Sequence, residues 1–180
     1  NISQGLMACG FDGTSQDYDQ IQQAKEWLLN LNPNVKAYAL PADVRDSMIR
    51  NEAALAYMYS GNIVQAMEEN DKIRLALNNE KVSLSMDTFV ILKGTKHKTE
   101  AELFLNFLLR PEISAKLIEQ FPYVCFNKAA VDCLPENLAN SPLVVLTDDL
   151  KNRIYMYNTF DGDGITYGIE AMTEVKTARG

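Results

Sequence analysis

The sequence predicts an α/β fold in which helices alternate with short strands, with substantial parallel pairing. Three observations carry this prediction. Apolar residues recur at helical spacing in several separate stretches. Between those stretches lie short runs rich in strand formers, and one of them, Ala53 to Tyr59, is continuously apolar, the pattern of a strand covered on both faces. Proline and small polar residues punctuate the junctions, as turns between alternating elements require.

The elements follow in order. Ile2, Leu6 and Cys9 fall on one helical face, and Gly10 reads as the residue that stops that helix. Ile2 stands so near the start that the helix lacks a beginning, so the chain is expected to be a piece of a longer protein. Asp17 to Leu31 reads as a helix with a stripe of Ile21, Ala24, Trp27, Leu28 and Leu31, closed by Pro33. Val35 to Leu40 alternates like a strand, and a short helix with Val44 and Met48 follows Pro41. After the 53–59 run, Ser60 is expected to cap a helix carrying Ile63, Val64 and Met67. Lys72 to Leu77 and Ser83 to Leu92 are further strand candidates.

Thr99-Glu100-Ala101-Glu102 has the spacing of a capping box, and the helix it opens is expected to bury Leu103, Phe104, Phe107 and Leu108. Pro111 suits the first position of the next helix, which carries Ile113, Leu117 and Ile118 and ends before Pro122. Tyr123 to Phe126 reads as extended, and Asn127 opens a brief helix through Leu134. Thr147 to Tyr157 and Ile165 to Ala178 read as the last two helices.

Totals narrow the function. The chain has 180 residues, is 47% hydrophobic and carries a formal net charge of −7. It can therefore bury a core, and its acidity argues against nucleic acid and anionic membrane surfaces as partners. No apolar run approaches the roughly 18 residues of a membrane span, and no charged-then-apolar leader is present. Cys9, Cys125 and Cys133 form no C-x-x-C pair. Cys125 and Cys133 could bridge if the fold brought them together, but the plainer reading is small apolar residues in a core.

Catalysis finds no support. The single histidine, His97, lies between Lys96 and Lys98 in a charged turn. No nucleophile elbow, phosphate-binding glycine loop or dinucleotide fingerprint is present. Asp161-Gly-Asp163-Gly resembles a calcium loop but lacks its later ligands, and reads as a turn. Neither a metal nor a cofactor is expected. A binding site is the better candidate, because ligands of open α/β sheets sit beyond the carboxyl ends of strands. Tyr59 ends a strand run, Asp87 is a carboxylate in an apolar one, and Tyr123 follows a helix and Pro122. Each also has a plain reading, as a packed core tyrosine or a solvated acid.

Met86-Asp87-Thr88-Phe89-Val90-Ile91 followed by Glu102-Leu103-Phe104-Leu105-Asn106-Phe107-Leu108-Leu109-Arg110-Pro111-Glu112 resembles the substrate-binding proteins of polyamine ABC importers, the spermidine/putrescine-binding family. Cys9-Gly10-Phe11-Asp12-Gly13, Pro33-Asn34-Val35, Tyr59-Ser60-Gly61-Asn62, Phe121-Pro122-Tyr123 with Asn127, and the closing helix resemble further segments of it. The resemblance implies a periplasmic-binding-protein-like (type II) two-lobe fold, present as a C-terminal fragment with most of the first lobe missing. It assigns 1–84 to the second lobe, 85–130 to a segment completing the first, and 131–180 to a return to the second.

The family's chemistry implies that Tyr59, Asp87 and Tyr123 bind ligand. Carboxylates hold the ammonium groups of a polyamine, and aromatic faces cover its methylenes. Tyr59 stands where the family has tryptophan. Ser85 stands where it often has a second tryptophan, which enlarges that part of the site and leaves the ligand open. The expected protein is thus a non-catalytic, periplasmic or extracellular-face component of an ABC importer, lipid-anchored or fused to a permease in some arrangements, with a polyamine and the permease as partners. The alternatives are a binding protein for another small organic solute and a fragment of an α/β enzyme. The apolar face of the helix at Phe104 and Phe107 is expected to need cover, from a homodimer or a swapped assembly.

Overall fold

The computed structural model describes residues 2–77, 81–156 and 160–178. Two compact units divide it: residues 1–38, 83–85 and 155–180 in one, and 39–82 and 86–154 in the other.

The first unit is built on three helices, α1 (Ile2–Ala8), α2 (Tyr18–Leu31) and the long C-terminal helix (Gly162–Thr177). Their apolar stripes meet in one core of Ile2, Leu6, Ile21, Ala24, Leu28, Ala171 and Val175. The stripe read from sequence holds for Ile21, Ala24 and Leu28, whereas Trp27 and Leu31 lie at its margin and are partly exposed. Gly10 ends the α1 region with φ of +83°, a conformation that costs a side-chain-bearing residue. Asp17 caps α2, its carboxylate accepting from the Gln20 amide at 2.9 Å. Asn32, the one buried polar side chain at the C-terminal end of α2, donates to the Val175 carbonyl at 2.7 Å and accepts from the Tyr38 hydroxyl at 2.8 Å. Asp161 to Gly164, read as a turn, starts the C-terminal helix instead, with Asp161 at its N-cap.

A polar cluster fixes the loop after α1. The Tyr155 hydroxyl donates to Asp12 Oδ1 at 2.7 Å, and the same oxygen accepts from the Thr14 amide at 2.8 Å and hydroxyl at 2.6 Å. Tyr155 lies on a three-residue strand, Ile154–Met156, which pairs with Val82–Leu84. This is the one ladder among the described residues, so the substantial parallel pairing expected from the sequence is absent from them.

The second unit contains α3 (Pro41–Ile49), α4 (Ser60–Glu69), α5 (Lys98–Leu108), α6 (Pro111–Gln120), the four-residue α7 (Lys128–Val131) and α8 (Glu136–Ala139), and α9 (Asp148–Arg153). Its core gathers Val64, Leu138, Leu143 and Val144, with Ile63, Leu75, Ile118 and Cys125 packed against them. Prolines start α3 and α6 as anticipated. All three cysteines are free, so the Cys125–Cys133 bridge does not form.

Several expectations are corrected in this unit. Residues 53–59 form no ladder, and Leu55, Tyr57 and Tyr59 are exposed, so the run is not covered on both faces. Residues 35–40, 72–77 and 85–92 likewise lack ladder partners. Ser60 is the first residue of α4 rather than its cap, and Tyr59 holds the cap position with extended backbone. The capping box at Thr99 does not form: His97 takes the cap position of α5 without a side-chain bond, and Thr99 lies inside the helix, where Lys98 and Glu102 pair at 3.5 Å. That helix buries none of its residues, with Leu103 64%, Phe104 57% and Phe107 42% exposed. The predicted helix 147–157 is cut at Arg153, where the chain passes into the strand at Ile154.

Burial pushes the Tyr155 phenol above its ordinary pKa, and the Asp12 carboxylate adds to the rise. The folded state therefore holds this proton more tightly than the unfolded chain. Stability is at its full value below a pH of about 10 and falls as pH climbs from there through the folded pKa. Spectrophotometric titration of the phenols, with chemical denaturation at pH 8 and above 10, checks this. Tyr155→Phe is expected to remove the steepest part of the alkaline loss and to cost roughly 1 kcal/mol at neutral pH.

Candidate functional site

The N-terminus of α4 is where the second unit places its polar and aromatic groups together. Tyr59 leads into the helix with φ of −68° and ψ of 150°, and its carbonyl accepts from the Ile63 amide at 3.1 Å. Gly61, in the first turn, is buried, and the Tyr123 ring lies directly on it: a Cβ built there would stand 3.0 Å from Tyr123 Cζ and 3.1 Å from Cε1. The ring comes this close to the helix because position 61 has no side chain. Tyr123 is placed there by the break after α6, where Pro122 ends helical continuation and the Tyr123 amide bonds the Phe121 carbonyl at 2.7 Å.

Both rings remain open to solvent, Tyr59 being 56% and Tyr123 45% exposed. Among the described residues, neither phenol hydroxyl makes a hydrogen bond, so each keeps its donor and its lone pairs for another molecule. The next residue, Asn62, adds a group that sequence reading missed. Its Oδ1 is buried and accepts no hydrogen bond among the described residues. A buried acceptor without a donor costs about 1–3 kcal/mol, which a donor from a guest or a water would recover. The only sequence signal for it was membership of the Ser60-Gly61-Asn62 turn.

Asp87 lies in the same compact unit, on the unpaired stretch 85–92. It is exposed, and among the described residues it makes no hydrogen bond or ion pair. Tyr59 and Tyr123 are thus brought together at α4, whereas no hydrogen bond joins Asp87 to either phenol. Ser85 is exposed and falls with the first unit. No cluster of three or more metal-ligating side chains exists among the described residues, and no helix among them is long and apolar enough to cross a membrane.

Together the groups can cover an apolar segment with two phenol faces, attract a cation through those faces, and accept hydrogen bonds from it. Gly61→Ala tests the contact on which the arrangement rests. The added methyl is expected to displace the Tyr123 ring by a few tenths of an ångström or more. Unfolding stability is expected to change by less than about 1 kcal/mol, since alanine favours the helix. Ring resonances of Tyr123 that move by NMR, with a near-constant denaturation midpoint, are the predicted result.

Comparisons with known proteins bear on the family and the fold. Residues 2–145 match the family profile of the bacterial extracellular solute-binding proteins. The spermidine/putrescine-binding periplasmic protein 1 of Haemophilus influenzae is 27% identical over 175 residues, covering 97% of this chain and 48% of the relative. The putrescine-binding periplasmic protein PotF of Escherichia coli is 25% identical over 170 residues, covering 89% of this chain and 45% of the relative. A solved chain from Listeria monocytogenes, described as a spermidine/putrescine ABC transporter, superposes with a TM-score of 0.89 at 26% identity, covering 99% of this chain and 55% of that one. The spermidine/putrescine ABC transporter substrate-binding protein PotD of Streptococcus pneumoniae superposes with a TM-score of 0.84 at 27% identity, again covering 99% of this chain and 55% of that one. The α/β, periplasmic-binding-protein-like class expected from the resemblance is that of these structures, and the chain spans about half the length of the relatives it matches. With its fold and four-fifths of its length accounted for in this way, the chain belongs to the bacterial extracellular solute-binding protein family.

Proposed function

We propose that these 180 residues supply part of the solute-binding component of an ABC importer, which takes up polyamines such as spermidine and putrescine outside the cytoplasm. The observation that carries the reading is the pair of exposed, unbonded phenol rings gathered at α4 by the Tyr123–Gly61 contact, beside the buried and unpartnered Asn62 Oδ1. The names of the relatives, which are polyamine-binding proteins, support the same ligand class. In this reading the protein binds and delivers and does not catalyse. Its partners are the polyamine and the importer's permease, which senses closure of the two lobes of the whole protein on ligand. The lobe assignment of 1–84, 85–130 and 131–180 and a homodimer covering the apolar face of α5 belong to the same proposal.

Electrostatics set a condition on it. The N-terminus of a helix carries partial positive charge, which disfavours a nearby cation by about 0.3–1 kcal/mol. The Tyr123 ring on Gly61 covers that end of α4 with a quadrupole whose face attracts cations, worth about 0.5–2 kcal/mol. A carboxylate is still needed to recover the hydration an ammonium loses, and Asp87 is exposed and unpaired. A charge-assisted hydrogen bond of about 1.5–3 kcal/mol from ammonium to carboxylate supplies it.

Ser85 favours a second reading, a different small organic solute. The resemblance implies a bulky ring at this position in much of the family, and serine stands there instead.

Calorimetric titration of the full-length protein with spermidine and putrescine separates the two. The polyamine reading predicts binding in roughly the micromolar range that weakens about 10- to 100-fold in Asp87→Asn and falls as salt rises. Absence of heat with every polyamine, or an Asp87→Asn variant as tight as the wild type, contradicts it.

A further inference from the structure

Tyr123 sits on the short run between α6 and α7, residues 121–127, and a side chain outside the candidate site fastens the far end of that run. Asn127 Nδ2 donates to the Leu109 carbonyl at 2.8 Å. Leu109 is the C-cap of α5, and the last carbonyls of a helix have no partner within it.

The choice of partner is unusual for the position. Asn127 stands at the N-cap of α7, where asparagine ordinarily turns its side chain on the first amides of its own helix. It makes no such bond here. The four-residue α7 is begun by the backbone alone, the Ala130 amide donating to the Asn127 carbonyl at 3.0 Å. The side-chain amide goes instead to a helix end eighteen residues back in the chain.

Chain geometry gives that bond leverage over Tyr123. The ten residues of α6 span about 15 Å. Leu109 lies before its start and Phe121 after its end, so the run must return along the helix to bring Asn127 to Leu109. Six residue steps of extended chain cover about 20 Å, which leaves little slack. Midway, the Cys125 amide donates to the Val144 carbonyl at 2.8 Å. One bond fixes a point on the run. Two fix its direction, and the direction sets which way the ring at 123 turns.

We infer that Asn127 is a positioning residue of the candidate site. By tying the end of the 121–127 run to the end of α5, it aims the Tyr123 ring onto Gly61. Its consequence for binding rests on the reading of that site proposed above.

Two substitutions in the full-length protein separate this role from capping of α7. Asn127→Ser keeps a good capping group but stops an atom short of the Leu109 carbonyl, whereas Asn127→Gln keeps an amide donor. Tyrosine ring resonances are followed by NMR without ligand, and putrescine is then titrated by calorimetry. Asn127→Ser is expected to move the Tyr123 ring, to leave Tyr38 and Tyr155 in place, and to weaken putrescine binding about 3- to 10-fold, the scale of one hydrogen bond. Asn127→Gln is expected to restore the ring position and most of the affinity. An unmoved Tyr123 ring in Asn127→Ser, a Gln variant displaced as far as the Ser variant, or rings that move in both units overturn the inference. Absence of putrescine binding by the wild-type protein refutes the polyamine reading instead, and the ligand-free ring positions still decide the role of Asn127.

Discussion

The absence of a side chain at Gly61 is the constraint on which the candidate site depends. An aromatic ring approaches a helix backbone this closely where no Cβ intervenes, and Tyr123 stands within contact distance of where that Cβ would be. This one contact brings two rings, separated by more than half the second unit's sequence, to the same helix end. It also explains why the site needs little regular structure around it. Tyr123 follows a proline break and Tyr59 precedes a helix, so both are set by chain direction at helix ends rather than by a ladder.

The chemistry of the arrangement follows from what its groups leave unused. Tyrosine hydroxyls and buried amide oxygens in a finished core find partners, because leaving them unpaired costs free energy. Here two phenols remain exposed and unbonded, and the oxygen of Asn62 is buried and unbonded. The contrast with the first unit is instructive. There Asp12, Thr14 and Tyr155 satisfy one another, and Asn32 is held by Tyr38 and the Val175 carbonyl. Polar groups in that unit fasten the fold, whereas those at α4 are left for something else.

Much of the helical frame was legible in the sequence. Apolar stripes at Ile21, Ala24 and Leu28 and the helix starts near the prolines at 41 and 111 each act through the local chain, and each took its expected place, while Asp17, read as the first helical residue, caps α2 instead. Strands were less legible because a strand needs a partner that local sequence does not provide. Residues 53–59, 72–77 and 85–92 have strand composition, yet none of these runs has its ladder. The cap of α5 failed for a different reason: the helix begins two residues earlier than the Thr99 pattern requires, and the Lys98–Glu102 pair uses the same carboxylate. At the site, Tyr59 and Tyr123 could be named from sequence, but the glycine that joins them could not be singled out without coordinates. Asp87 was named with them, and the structure leaves it exposed and, among the described residues, without a hydrogen bond or ion pair.

The account rests on both rings lining one binding place. Its most direct measurement follows the ring resonances of Tyr59 and Tyr123 in the full-length protein, selectively labelled at tyrosine, as putrescine is added and then, separately, its uncharged diol analogue. Both rings moving together along a single saturation curve with the diamine, and neither moving with the diol, is the predicted result. Movement of one ring alone, or equal movement with the diol, would contradict it.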